Sequence, residues 1–202
     1  MKPKLLIITG PQGSGNHLFS KILSHHPKVF GWKMKTYWEG HHDEPFNGAW
    51  SDPSELHKFG WDQHEYIFTS VSCPYIKNKT PYKPRYKTFI ETASQYADIK
   101  IGIIGRDQNI LRYQQTRVRG QSTVDHFQSS LPYLMQFNPL FLSQELYQLY
   151  GNDYLQSVSK LLDFPISHQS IYVDANKKYI QDIGAQPLDL EVKRVIDEQR
   201  SK

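Results

Sequence analysis

KLLIITGPQGSGNHLFSKILSHHP, Lys4 to Pro27, runs from an apolar strand through a glycine-rich turn into an amphipathic helix, and this stretch decides the fold. Leu5 to Thr9 is a continuous apolar run, the signature of a central parallel strand covered on both faces. Leu18 to Ser24 starts the helix, and Pro27 ends it because proline cannot continue a helix interior. Gly10 and Gly15 keep the outer glycines of the phosphate-binding pattern GxxxxGK[ST], but Asn16 stands where that pattern has lysine and His17 where it has a hydroxyl. Gly10, Gly13 and Gly15 can adopt backbone angles closed to other residues, so N–H groups between Gly10 and His17 can converge on an anion. The helix that follows adds the positive end of its dipole. The turn GPQGSGNH therefore predicts an anion cradle built from Gly10, Gln12, Gly13, Ser14, Gly15, Asn16 and His17. The missing lysine and hydroxyl argue against ordinary Mg²⁺-dependent nucleotide hydrolysis.

Downstream, strands and helices alternate. Tyr66 to Ser72 reads as a second strand and Lys100 to Ile104 as a third, with helices over Tyr86 to Tyr96 and Asp107 to Arg117. Leu140 to Leu149 and Asp153 to Leu162 read as two amphipathic helices separated at Gly151. Val29 to Trp32 begins a short extended piece, Ile171 to Val173 is a short strand, and Leu190 to Gln199 a terminal helix. Lys77 to Arg85 is a basic, proline-punctuated connection. Residues 36 to 65 form a loop-rich insert with one short helix around Pro53 to Phe59. The alternation predicts an α/β fold with a central parallel sheet flanked by helices in three layers, in a single domain over residues 1–202.

At 202 residues the chain is long enough to bury a normal core without disulfides or metals. Its 38% hydrophobic content and 22% charge exclude a disordered chain, and the absence of an 18-residue apolar run excludes a membrane span. The short N-terminal apolar run enters a glycine turn and not a cleavage site, so it reads as a strand and the expected location is cytoplasmic. One cysteine, Cys73, agrees with a reducing compartment. A net charge of +4 favours anionic ligands, yet the basic residues are scattered, so neither nucleic acid nor membrane is an expected partner.

Three ordered segments resemble a known family. The turn GPQGSGNH followed by LFSKILSHHPKVFGW is similar to the opening of the P-loop sulfotransferases, closest to the carbohydrate-modifying branch, with Ile22, Leu23, His26, Pro27 and Val29 in the places of its leucine-x-x-His-Pro-x-Val ending. IGIIGRDQNILRYQQ resembles the family's second signature through Arg106 and Tyr113. SQELYQLYGNDYLQSVSKLLDFPI, Ser143 to Ile166, resembles its closing pattern through Glu145, Leu146, Leu162 and Phe164. The resemblance implies a P-loop-type fold and transfer of a sulfuryl group from 3′-phosphoadenylyl sulfate (PAPS) to a hydroxyl or amine, with no metal held by the loop. It assigns the donor's 5′-phosphosulfate to the turn and its 3′-phosphate to Arg106, assisted by Gln114.

Two positions depart from the family: Gly13 replaces its loop lysine and Gln114 its serine. Ser72-Cys73-Pro74-Tyr75 resembles a Lys-Ser-Pro-x-Tyr pattern of some members without its lysine. Lys33, Lys35, Arg112 and Arg117 are candidate substitute cations, and Arg117 and Arg119 can add to the same anionic pocket. The family's base follows the first helix, which points to His41 or His42, with Glu39 behind them; histidine titrates near neutrality and can take a proton from an alcohol. Aromatic residues between Tyr37 and Trp61 suit stacking on a sugar or other small-molecule acceptor. The alternatives are a small-molecule or nucleotide kinase, which would need a lysine and a metal-binding hydroxyl, and a catalytically silent nucleotide-binding protein.

Overall fold

The computed structural model describes residues 2–31, 45–77 and 80–167, the side chains of residues 76, 77, 118 and 119 excepted. All belong to one compact unit, Met1–Ile171. The expected strand at Ile171 to Val173 and helix at Leu190 to Gln199 lie outside the described residues.

The chain forms β1 (Lys4–Pro11), α1 (Asn16–Ser24), β2 (Val29–Phe30), β3 (Tyr66–Cys73), β4 (Tyr75–Lys77), β5 (Thr80–Tyr82) and α2 (Tyr86–Ala93). These are followed by β6 (Asp98–Gly105), α3 (Gln108–Arg119), α4 (Val124–Gln128), α5 (Leu131–Leu134), β7 (Leu140–Ser143) and α6 (Gln144–Leu162). A five-stranded, wholly parallel sheet has the order β2-β3-β1-β6-β7. The fold is α/β, with the parallel sheet flanked by helices as the alternation predicted.

β1 is its middle strand, and Leu5, Leu6, Ile7 and Ile8 are all fully buried because both of its faces are covered. One face joins Leu5 and Ile7 with Ile67, Val71, Ile101 and Ile103, and packs on Phe89, Ile90 and Ala93 of α2, Phe127 of α4 and Leu134 of α5. α1 packs on β1 and β3. Thr9 Oγ1 donates to the Val71 carbonyl at 2.8 Å, so the Tyr86 hydroxyl, 2.6 Å away, donates to Thr9. Burial holds that phenol well above its ordinary pKa. Lys4, where β1 begins, pairs with Asp163 just past α6.

Three departures from the sequence reading stand out. Leu140–Ser143, expected as the start of a helix, is a strand paired with Gly102–Gly105: Leu142 is 1% exposed and Phe141 54%, a period of two that its short length disguised. The break expected at Gly151 is present: its φ of 51° and ψ of −120° are non-helical, and α6 is two helical stretches meeting at a kink there. The basic connection at Lys77 to Arg85 contains β5, which pairs antiparallel with β4 just before it. α4 and α5 occupy a stretch the sequence left unassigned.

The described part of the insert, residues 45–65, contains 3-10 turns at Pro53–Lys58 and Trp61–Gln63. Its aromatic rings are structural. Phe46, Trp50 and Trp61 are at most 6% exposed, and Trp50 stacks on Phe89 with centroids 3.7 Å apart. These three rings fill the core and cannot serve the sugar stacking the sequence suggested; Tyr37 and Trp38 lie outside the described residues. Cys73 is likewise buried, and burial pushes its thiol pKa up, so the nucleophilic thiolate is suppressed at neutral pH. A disulfide reagent such as DTNB is expected to leave Cys73 unmodified in the native protein and to modify it once denaturant is added. Rapid labelling of the native protein would contradict this.

Candidate functional site

Strand order sets the location. After β1 the chain turns toward β2, and after β6 toward β7, on opposite sides of the sheet. β1 and β6 are neighbours, so the crevice at their carboxyl ends is the topological switch point where open α/β sheets gather ligands. The glycine-rich turn follows β1 there, and Arg106 follows β6.

The turn is shaped by two positive backbone angles, φ 84° at Gly13 and 116° at Gly15. Gly15 is the N-cap of α1 and supplies no side chain to its amides. The first amides of a helix have no intrahelical acceptor, so this end of α1 suits an anion. At Gly10 the constraint is space: a Cβ would lie 2.6 Å from Ser14 Oγ and 2.9 Å from the Ile104 carbonyl.

Arg106 locks the two strand ends together. Its Nη1 donates to the Gly13 carbonyl and to Gln114 Oε1, each at 2.6 Å. Asp107, a conceivable surface partner for Arg106, instead caps α3 by accepting from the Asn109 and Ile110 amides, both at 2.9 Å. Asn16, at the lysine position, is 4% exposed and donates through Nδ2 to Ser72 Oγ at the end of β3, 2.6 Å away.

Around the turn, Gln12 Oε1, Ser14 Oγ, Asn16 Oδ1 and Gln144 Oε1 are buried with no hydrogen-bond partner among the described residues. Buried polar atoms are ordinarily paired, so this group makes the turn a candidate site for a polar ligand. Gln144, first residue of α6, reaches it from β7; its Oε1 lies 3.2 Å from the point a Cβ on Gly15 would occupy.

Of the residues expected at the site, Gly10, Gln12, Gly13, Ser14, Gly15, Asn16 and His17 form one turn, and Arg106 and Gln114 meet it. His41, His42 and Glu39 lie outside the described residues, as do Lys33 and Lys35. Arg112 and Arg117 are exposed on α3, and the Arg119 side chain is not among those described. Among the described residues no group of three or more His, Cys, Asp or Glu is placed to hold a metal, and none of their helices is long and apolar enough to cross a membrane.

The sequence reading missed three participants. Ser72 is matched by pattern but its bond to Asn16 is not legible. Gln144 was assigned to a helix interior, one strand too early. Gln115 had a signal: with Leu111 it lies on the buried stripe of α3, where a glutamine needs a polar reason to be. No protein-family model, curated relative or solved structure matches the chain.

Proposed function

We propose that the turn and Arg106 hold the anionic groups of 3′-phosphoadenylyl sulfate, and that the protein is a sulfotransferase-like transferase of the P-loop type acting on a hydroxyl or amine. The observation that supports this best is the junction itself: a cation from the end of β6 bonded to a glycine turn after β1, at the switch point of a parallel sheet. Buried polar atoms at the same turn that have no hydrogen-bond partner among the described residues fit a polar ligand, and the glycine-opened N-terminus of α1 fits an anionic one. When bound, the donor supplies an activated sulfuryl group and a phosphate leaving group. The chain's own contribution is placement: amides of the turn orient the anion, and Arg106 offsets its charge. The base that deprotonates the acceptor comes, on the sequence reading, from His41, His42 or Glu39.

Calorimetric titration of the full chain tests this. 3′-Phosphoadenosine 5′-phosphate (PAP) is expected to bind without metal and more tightly than ATP with Mg²⁺; the opposite preference would favour a kinase. Arg106→Ala is expected to weaken PAP by about ten- to a hundredfold, the worth of a charge-assisted hydrogen bond of about 1.5–3 kcal/mol. ADP, which lacks the 3′-phosphate, should lose less. Equal losses would assign Arg106 to the turn alone. The second reading, a silent nucleotide-binding protein, is favoured by the neutral Asn16 and Gly13 at the two lysine positions, and PAP binding without transfer from PAPS would identify it.

A further inference from the structure

α3 backs the turn along one stripe. Leu111 and Gln114 lie 3.4 and 3.1 Å from the point a Cβ on Gly13 would occupy, and Gln115 joins them on that side. Gln115 is fully buried. Its Nε2 donates to the Gln12 carbonyl at 2.7 Å, while its Oε1 accepts from the Thr123 amide at 2.7 Å and from Ser122 Oγ at 3.2 Å.

A trans peptide is planar, with its C=O and N–H pointing in opposite directions. Drawing the Gln12 carbonyl onto α3 therefore aims the Gly13 N–H away from α3. Gly13, with φ of 84°, belongs to the residue type that enters this region freely, so nothing in its own stereochemistry forbids the reversed peptide. The next peptide is held at both ends, because Arg106 takes the Gly13 carbonyl and the Ser14 amide bonds to the Pro11 carbonyl at 3.1 Å. For the Gln12–Gly13 peptide, the hold is the carboxamide of Gln115.

We propose that Gln115 is a positioning residue: it fixes the Gln12–Gly13 peptide so that the Gly13 N–H faces the bound anion. The other half of the same carboxamide is held by Ser122 and Thr123, which join α3 to α4. This positioning role rests on the reading of the turn as an anion site.

PAP titrated calorimetrically into wild type, Gln115→Met, Gln115→Glu and Phe89→Leu tests it. Phe89→Leu is a core variant away from the turn, and controls for lowered stability. Gln115→Met is expected to lose about tenfold or more in affinity, the value of one lost donor, while Phe89→Leu keeps the wild-type value. Gln115→Glu retains the acceptor for Thr123 but donates to the Gln12 carbonyl only when protonated, so its affinity relative to wild type should recover as pH falls from about 8 to about 5. A purely structural role predicts no such recovery. Should Gln115→Met fail to fold, Gln115→Glu decides by the same pH comparison. PAP affinity within about twofold of wild type in Gln115→Met, or no recovery in Gln115→Glu, overturns the proposal and leaves the anion site standing. Failure of the wild type to bind PAP overturns both.

Discussion

Phe89→Ala is expected to destabilise the protein by about 3–5 kcal/mol, the usual cost of emptying a fully buried phenylalanine site. Phe89 is 0% exposed, stacks face to face on Trp50, and meets Phe46 edge-on. Removing the ring strips Trp50 of its stacking partner and opens a void between α2 and the sheet. The rigid parallel sheet on one side allows little collapse, which places the cost toward the upper end. A domain of this size has roughly 5–15 kcal/mol in total, so the midpoint of urea unfolding should fall steeply. A loss below about 1 kcal/mol would mean that the insert repacks freely and that its rings are not core.

Gly10→Ala is expected to damage the site where Phe89→Ala damages the fold. The added methyl would meet Ser14 Oγ and, less forgivingly, the Ile104 carbonyl. A hydroxyl can rotate away, whereas the carbonyl belongs to β6, which is paired to β1 up to Ile103. Overpacking of this kind costs about 1–3 kcal/mol. Because the strain is released by moving the turn off β6, the separation between Gly13 and Arg106 should open, and PAP affinity should fall by about tenfold or more. The measurements are the unfolding midpoint and the PAP titration on one variant. Unchanged PAP affinity would show that the anion does not depend on the turn's contact with β6.

Some of this was legible in the sequence and some was not, for physical reasons. β1 announced itself because a strand covered on both faces reads as an unbroken apolar run, Leu5 to Ile8, while β3 and β6 were legible from shorter β-branched and aromatic pieces, Tyr66 to Val71 and Ile101 to Ile104. β7 failed because its few residues fit a helical stripe as well as an alternating one. The turn was legible because glycine spacing reports backbone geometry, and Gly13 and Gly15 take the angles that spacing demands. The partners of the turn were not. Arg106 meets Gly13 across 93 residues and Gln115 meets Gln12 across 103, contacts that no local pattern encodes. Trp50 and Trp61 misled because an aromatic ring can serve a ligand or a core, and only burial tells which.

The strand order has a consequence for how the chain comes to be made. β1 is synthesised before both of its neighbours, yet it is the middle of the sheet: its Thr9 waits for Val71, 62 residues on, and its other edge waits for β6. A nascent chain ending before Asp98 leaves the most apolar strand of the protein with one edge open. The turn's anchors come later still, because Gly13 waits for Arg106 and Gln12 for Gln115 of α3. A truncation that removes Arg106 and α3 is therefore expected to strip the turn of these anchors while leaving its own sequence untouched.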